Sequence, residues 1–156
     1  MTRRRDEGEK VVASNRKARH DYEILERVEC GIQLTGDEVK SLRAGRASLA
    51  DCYGRTRDGE VWLEGLHIPP YEQGDQRRHQ PMRPRKLLLH RREIDDLSAQ
   101  VAEQGLSLVP LRIYFTHGMG KVELALARGK RRHEKRHEIA KRDAQREAER
   151  ELGRRR

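Results

Sequence analysis

The chain has 156 residues, 34% of them apolar and 39% charged, with a formal net charge of +9. That leaves material for one small core in part of the chain, so one domain with appendages is expected. No run approaches 18 apolar residues and no apolar stretch follows the polar N-terminus, so a membrane span and secretion are both excluded as expectations.

The charge is unevenly placed. Residues 1–20 carry seven Lys/Arg and three acids, residues 21–127 fifteen and seventeen, and residues 128–156 thirteen and six. A nearly neutral body with two basic ends points to a polyanionic partner, of which nucleic acid is the commonest. A membrane surface fits less well, because the basic C-terminal stretch lacks a large apolar face.

In chain order, residues 1–13 are polar and read as disordered. The run Asn15-Arg16-Lys17-Ala18-Arg19-His20-Asp21-Tyr22 reads as a solvated, basic lead-in to a strand. Tyr22 to Val28 predicts that strand, with a bend or bulge at Gly31 and a continuation through Ile32–Leu34. Thr35 is placed to cap a short helix with Asp37 and Glu38 in its first turn, Val39 and Leu42 on its apolar face and Gly45 as its stop. Asp58-Gly59 predicts a tight hairpin between Tyr53–Arg57 and Glu60–His67, with Val61 and Leu63 on one face and Trp62 on the other. Tyr71 to Pro84 reads as a long surface loop, with Arg77, Arg78, Arg83 and Arg85 around it as phosphate-neutralising candidates.

Lys86–Leu89 reads as a short buried strand or a helix entry. Ile94, Leu97 and Val101 predict a helix over Arg91–Gln104, stopped by Gly105. Leu106–Thr116 and Lys121–Arg128 read as strands around a glycine-rich turn at His117–Gly120, with Val122, Leu124 and Leu126 on one face. About six or seven short strands with two helices and few apolar residues close most economically as a small antiparallel barrel.

One enzyme motif matches literally: His133-Glu134-Lys135-Arg136-His137 is HExxH, the zinc-protease helix signature. The cations within and before it repel Zn²⁺, and no core surrounds it, so no metal, no cofactor and no enzymatic activity is expected. Cys30 and Cys52 lack metal-ligand spacing and read as reduced, partly buried thiols of a cytosolic protein. Tyr22, Tyr53, Trp62, Tyr71, Tyr114 and Phe115 are the available base-stackers, but a core this small takes most of them. The low aromatic content disfavours a general single-strand binder and favours structured RNA read through backbone and shape. In the last stretch Ala140, Ala144, Ala148 and Leu152 make too weak a seam for a stable coiled coil. Pairs such as Glu138 with Arg142 give modest helix support, and the free tail is expected to be largely disordered until it meets a polyanion.

The runs NRKARHDY, EVKSLRAGRASLADCY, RKLLLH and GKRRHEKRHEIAKRD, in this order, resemble the bacterial SsrA-binding protein (small protein B) family from Asn15 to about Arg146. The resemblance implies a mainly β fold: an OB-fold-like barrel over 14–128 with two embedded helices. It also implies a basic tail over 129–156 that becomes helical on the ribosome. It implies a cytoplasmic protein, monomeric when free, that binds transfer-messenger RNA and delivers it to stalled ribosomes for trans-translation. Protein and RNA would together imitate a tRNA at the decoding centre, with the tail in the empty mRNA channel.

By matching position, His20, Glu29, Leu88 and Lys121 would contact or support the RNA, together with Asn15, Arg16, Lys17 and Arg19 of the leading run. The tail residues Lys130, His133, Glu134, Lys135, Arg136, Ile139, Lys141 and Arg142 would serve the ribosome. The family's usual Asp-Lys-Arg is Glu134-Lys135-Arg136 here, and Cys30 stands where Ala is usual. Glu29 would be repelled by phosphate, so it must accept from a base amino group or orient an arginine. An ordinary ribosomal or structural RNA-binding protein with a basic extension is the alternative.

Overall fold

The computed structural model describes residues 9–74, 76–130 and 132–154, and of residues 132–139 and 154 it describes the backbone. The elements run β1 (Lys10–Ser14), α1 (Arg16–Asp21), β2 (Tyr22–Ile32), α2 (Gly36–Arg43), β3 (Tyr53–Arg57), β4 (Glu60–Glu64), β5 (Arg85–Leu88), α3 (Arg91–Gln104), β6 (Ser107–Thr116), β7 (Met119–Gly129) and α4 (Arg132–Arg154). All pairings are antiparallel. β6 pairs with β7, β7 with β2, β2 with β5, β5 with β4, β4 with β3, and β3 returns to β6, so these strands close a small barrel. β1 takes the rest of the β6 edge that β3 leaves open, Lys10–Ser14 lying against Arg112–Phe115. Closure removes most of the unpaired edge that a sheet this size would expose.

Local chemistry explains the elements. Two hairpins turn at Asp58-Gly59 and His117-Gly118, where both residues of each pair have positive φ, as a two-residue primed turn requires. The second turn is thus tighter than the four-residue span read from the sequence, and Met119-Gly120 already belongs to β7. Thr35 caps α2 with a full capping box: its side chain accepts from the Glu38 N–H, while Glu38 accepts from the Thr35 N–H at 2.9 Å. α3 ends at Gly105, in the left-handed conformation. The core alternates as the strands dictate, with Cys30, Val61, Leu63, Leu87, Ile113 and Val122 all fully buried. Burial pushes the thiols of Cys30 and Cys52 up to about 12, so both are inert packing groups.

The barrel closes at one narrow place. β3 and β6 share a single register pair, Gly54 with Leu108, and a Cβ on Gly54 would lie 2.7 Å from the Cβ of Leu108. Glycine is required there by close approach. Gly54→Val is expected to destabilise the barrel by about 2–3 kcal/mol through forced separation of the two strands. Urea denaturation measures this, and a loss under about 0.5 kcal/mol would show that the seam yields freely.

Three features differ from the sequence reading. Residues 10–13 are in strand β1, because Val12 and Ala13 pack on the core and the β6 edge needs a partner; residues 1–8 of the expected disordered segment lie outside the described residues. The run Arg16–Asp21 is a helix, giving the body three helices rather than two. The bulge of β2 falls between Ile24 and Glu26, turning Leu25 outward at 43% exposure, while Gly31 stays in regular pairing. Residues 132–154 form α4, the helix that the basic tail was expected to be able to adopt. At 23 residues rich in Ala, Arg, Glu and Lys, it exceeds the length at which such helices become marginally stable. Residues 140–153, Leu152 included, are exposed, so packing on the body adds nothing to the stability of that part of the helix.

The long loop between β4 and β5 is tied down by a buried ion group. Arg85 is fully buried and donates to Glu38 Oε2 at 2.7 Å and to the carbonyls of Leu66 and Pro81, the latter at 3.0 Å. Arg83 donates to the other Glu38 oxygen. Two of the four arginines read as phosphate contacts are therefore structural: the loop doubles back on α2, and Glu38, the only carboxylate buried there among the described residues, claims both.

Candidate nucleic-acid interface

The leading helix is docked by its first residue. β6 bulges between Pro110 and Arg112, which turns the carbonyls of Pro110 and Leu111 outward. Asn15 uses both: its N–H donates to Leu111 O at 2.7 Å and its Nδ2 to Pro110 O at 3.0 Å, while its Oδ1 accepts from the Ala18 N–H at 3.2 Å. Asn15 thus caps α1 and pins it to β6. Ala18, 3% exposed, packs against Val109, Leu111, Ala125 and Ala127 in a second small cluster. A larger side chain at 18 or 125 would lift the helix. Arg16, Lys17 and Arg19 consequently point into solvent. The half-buried His20 ring lies with Nδ1 2.9 Å from Asp21 Oδ1, which fixes its orientation.

Cross-strand register assembles the rest. On the outer barrel face, Gly31 of β2 is paired with Leu88 of β5 on one side and Lys121 of β7 on the other, and Lys121 is paired with Tyr114 of β6. Two residues along the same face, Glu29 is opposite Glu123, and Glu123 is opposite Arg112. Gly31 makes a notch between Leu88, 51% exposed, and the ammonium-bearing Lys121; a Cβ there would come 3.1 Å from the Leu88 Cβ. Residues 57 to 90 positions apart in sequence are thereby brought into one short row.

A groove of about 1220 Å³ adjoins this row. It is lined by Arg16 and Arg19 of α1, Arg27 and Glu29 of β2, and Arg112 and Glu123, among others. Its charges are ordered. Arg112 donates to Glu123 at 3.0 Å and to Glu9, and Arg27 lies 3.6 Å from Glu123. Among the described residues Arg16, Arg19 and Lys121 have no carboxylate at ion-pair distance, which leaves their charge for phosphate. Glu29 accepts from the Tyr114 hydroxyl. Leu88 offers apolar contact to a sugar or base, and Glu29 an acceptor for an amino or hydroxyl donor.

Of the residues expected at the site, Arg16, Arg19 and Glu29 line this groove, while Leu88 and Lys121 flank Gly31 in the adjoining row. Lys17 faces a separate groove of about 550 Å³ beside Tyr53 and Arg55. Arg27 and Arg112 were not singled out, and Gly31 and Tyr114 were read only as a bend and a possible base-stacker; pairing register alone places them here. Lys130 lies at the root of the tail, its N–H on Asp21 O at 3.0 Å and its Nζ on Arg19 O at 3.2 Å, so the tail starts from α1. Lys141 and Arg142 are exposed on α4. The side chains of His133, Glu134, Lys135, Arg136 and Ile139 lie outside the described residues. No metal-holding cluster occurs among the described residues, nor any helix long and apolar enough to cross a membrane.

A small antiparallel barrel with a groove lined by four arginines and four glutamates, a glycine notch beside it and a cationic helical extension has the architecture of an OB-type RNA-binding protein. The sequence profile described as SmpB protein matches residues 12–154, and the chain belongs to that family. It is 60% identical to the SsrA-binding protein of Acidothermus cellulolyticus over 151 residues, covering 97% of this chain and 95% of the relative. It is 59% identical to that of Salinispora arenicola over 130 residues, covering 83% and 82%. A solved structure described as "tmRNA-SmpB: a journey to the center of the bacterial ribosome" contains a chain 51% identical, with a TM-score of 0.65, covering 81% of this chain and 93% of that one.

Proposed function

We infer that this chain binds transfer-messenger RNA and delivers it to stalled ribosomes for trans-translation, as a cytoplasmic RNA-binding factor and not as a catalyst. The groove that Arg16, Arg19 and Glu29 line, adjoining the row of Leu88, Gly31 and Lys121, carries this reading. The RNA backbone would lie along α1 and Lys121, with a base or ribose edge entering the Gly31 notch against Leu88 and donating to Glu29. Bound this way, protein and RNA together imitate a tRNA. The tail residues from Lys130 through His133, Glu134, Lys135, Arg136, Ile139, Lys141 and Arg142 then reach the empty mRNA channel. A tail with thirteen Lys/Arg over residues 128–156 suits a channel walled by phosphate, and a resident mRNA would displace it.

Lys121→Glu tests the face. It is expected to weaken binding of transfer-messenger RNA by about tenfold or more and to flatten the dependence of log affinity on log salt by about one unit. Gel-shift titration across salt concentrations reads both. Wild-type affinity and slope in this variant would remove the face from the interface.

A further inference from the structure

Glu29 is an exposed carboxylate beside cations that face phosphate. An unsupported glutamate there samples three side-chain torsions and must be ordered whenever RNA binds. Here one of its oxygens is already held. The Tyr114 hydroxyl donates to Glu29 Oε2, a hydrogen bond strengthened by the acceptor's charge. Tyr114 is itself only 1% exposed, so it cannot touch a bound RNA; it reaches the surface through Glu29. Its ring is covered by the Arg112 guanidinium, 4.3 Å from the centroid, and Arg112 is gripped by Glu123 and Glu9. The main chain adds a second constraint, because Tyr114 is paired with Lys121 and Lys121 with Gly31. Phenol, ammonium and notch thus sit in one row of the sheet. Burial and the neighbouring Glu29 push the phenol's pKa upward, so it remains a donor throughout the ordinary pH range.

We propose that Tyr114 is a positioning residue for RNA recognition: buried beneath the groove, it clamps the Glu29 carboxylate in one orientation, with Arg112 packed on its ring to hold the phenol in place. The inference rests on Glu29 being an RNA contact. A clamped carboxylate discriminates, because it rewards a correctly placed amino or hydroxyl donor and repels phosphate arriving in its stead. The clamp therefore contributes to affinity for the structured RNA and nothing to general attraction for polyanions.

A double-variant cycle on the full chain tests this, using transfer-messenger RNA and poly(U) as probes at fixed salt. Tyr114→Phe keeps the buried ring and removes the donor. It is expected to weaken transfer-messenger RNA binding roughly fivefold, to leave poly(U) binding unchanged, and to cause no further loss in a Glu29→Ala background. Glu29→Asp, a surface change that keeps the charge but withdraws the carboxylate by one methylene, is expected to reproduce the loss without touching the core. Wild-type binding by both Tyr114→Phe and Glu29→Asp would overturn the proposal. So would an equal loss from Tyr114→Phe with and without Glu29, since the phenol would then act through the barrel. Should Glu29→Ala alone bind like the wild type, the reading of the face fails and the clamp with it. That outcome differs from a face that needs Glu29 but ignores Tyr114.

Discussion

Removing residues 132–156 is expected to leave the affinity for transfer-messenger RNA within about threefold of the full chain, while peptide tagging on stalled ribosomes falls by about a hundredfold or more. The first expectation follows from packing. Residues 140–153 of α4 are exposed, so removing them opens no core and uncovers no buried polar group. Lys130 stays in place with its two contacts to α1, so the helix bearing Arg16 and Arg19 keeps its support. The second follows from the proposed role of the tail: if it is a second tether to the ribosome, the RNA-bound body without it loses the high effective concentration that two tethers provide. Filter binding and a stalled-translation tagging assay, run on the same preparation, separate the two quantities. If RNA affinity collapses along with tagging, the tail is a general electrostatic grip on RNA and has no separate ribosomal task.

Arg85→Leu is expected to cost about 3–5 kcal/mol of stability and to lower Tm by roughly 10–20 °C. The guanidinium holds Glu38 and the carbonyls of Leu66 and Pro81 in a site closed to water. Leucine would leave a buried carboxylate with only Arg83 and the Thr35 N–H, and two carbonyls lacking this donor. Glu38→Leu combined with Arg85→Leu is expected to be more stable than Arg85→Leu alone, because the uncompensated charge goes with its partner. A single-variant loss below about 1 kcal/mol would mean that water enters and solvates Glu38.

The same group sets an acid limit. Burial pushes the Glu38 carboxyl up, but the Thr35 N–H, Arg83 and Arg85 outweigh it and hold its pKa below the ordinary carboxylate value. Its contribution is fully present above the unfolded value and is lost as pH falls through the lower folded one. Arg85→Leu should accordingly weaken the acid sensitivity of unfolding along with stability.

Much of the chain was readable because its signals are local. Thr35 and Glu38 three residues apart specify a cap, Asp58-Gly59 a turn, and Gly105 a helix stop, each through bonds within a few residues. The alternation Val122, Leu124, Leu126 likewise names its own core face. The leading helix escaped notice because its cap is completed from Pro110 and Leu111, some 95 residues away. Arg83 and Arg85 look like Arg77 and Arg78 in any composition count, yet only the first two are within reach of Glu38.

By itself the sequence determined the partner's charge, the number and kind of most elements, the enzyme reading's weakness and, through its four motifs, the family. Those depend on residue type and short spacing, which the linear chain carries in full. Tertiary structure alone decided which charges remain available and what faces what. It spent Arg85 on Glu38 and Asn15 on the β6 bulge, and by strand register it set Leu88, Gly31 and Lys121 in a row with Tyr114 beneath Glu29. Register is settled by which faces can be buried together across the whole barrel, and no short stretch of sequence contains that information.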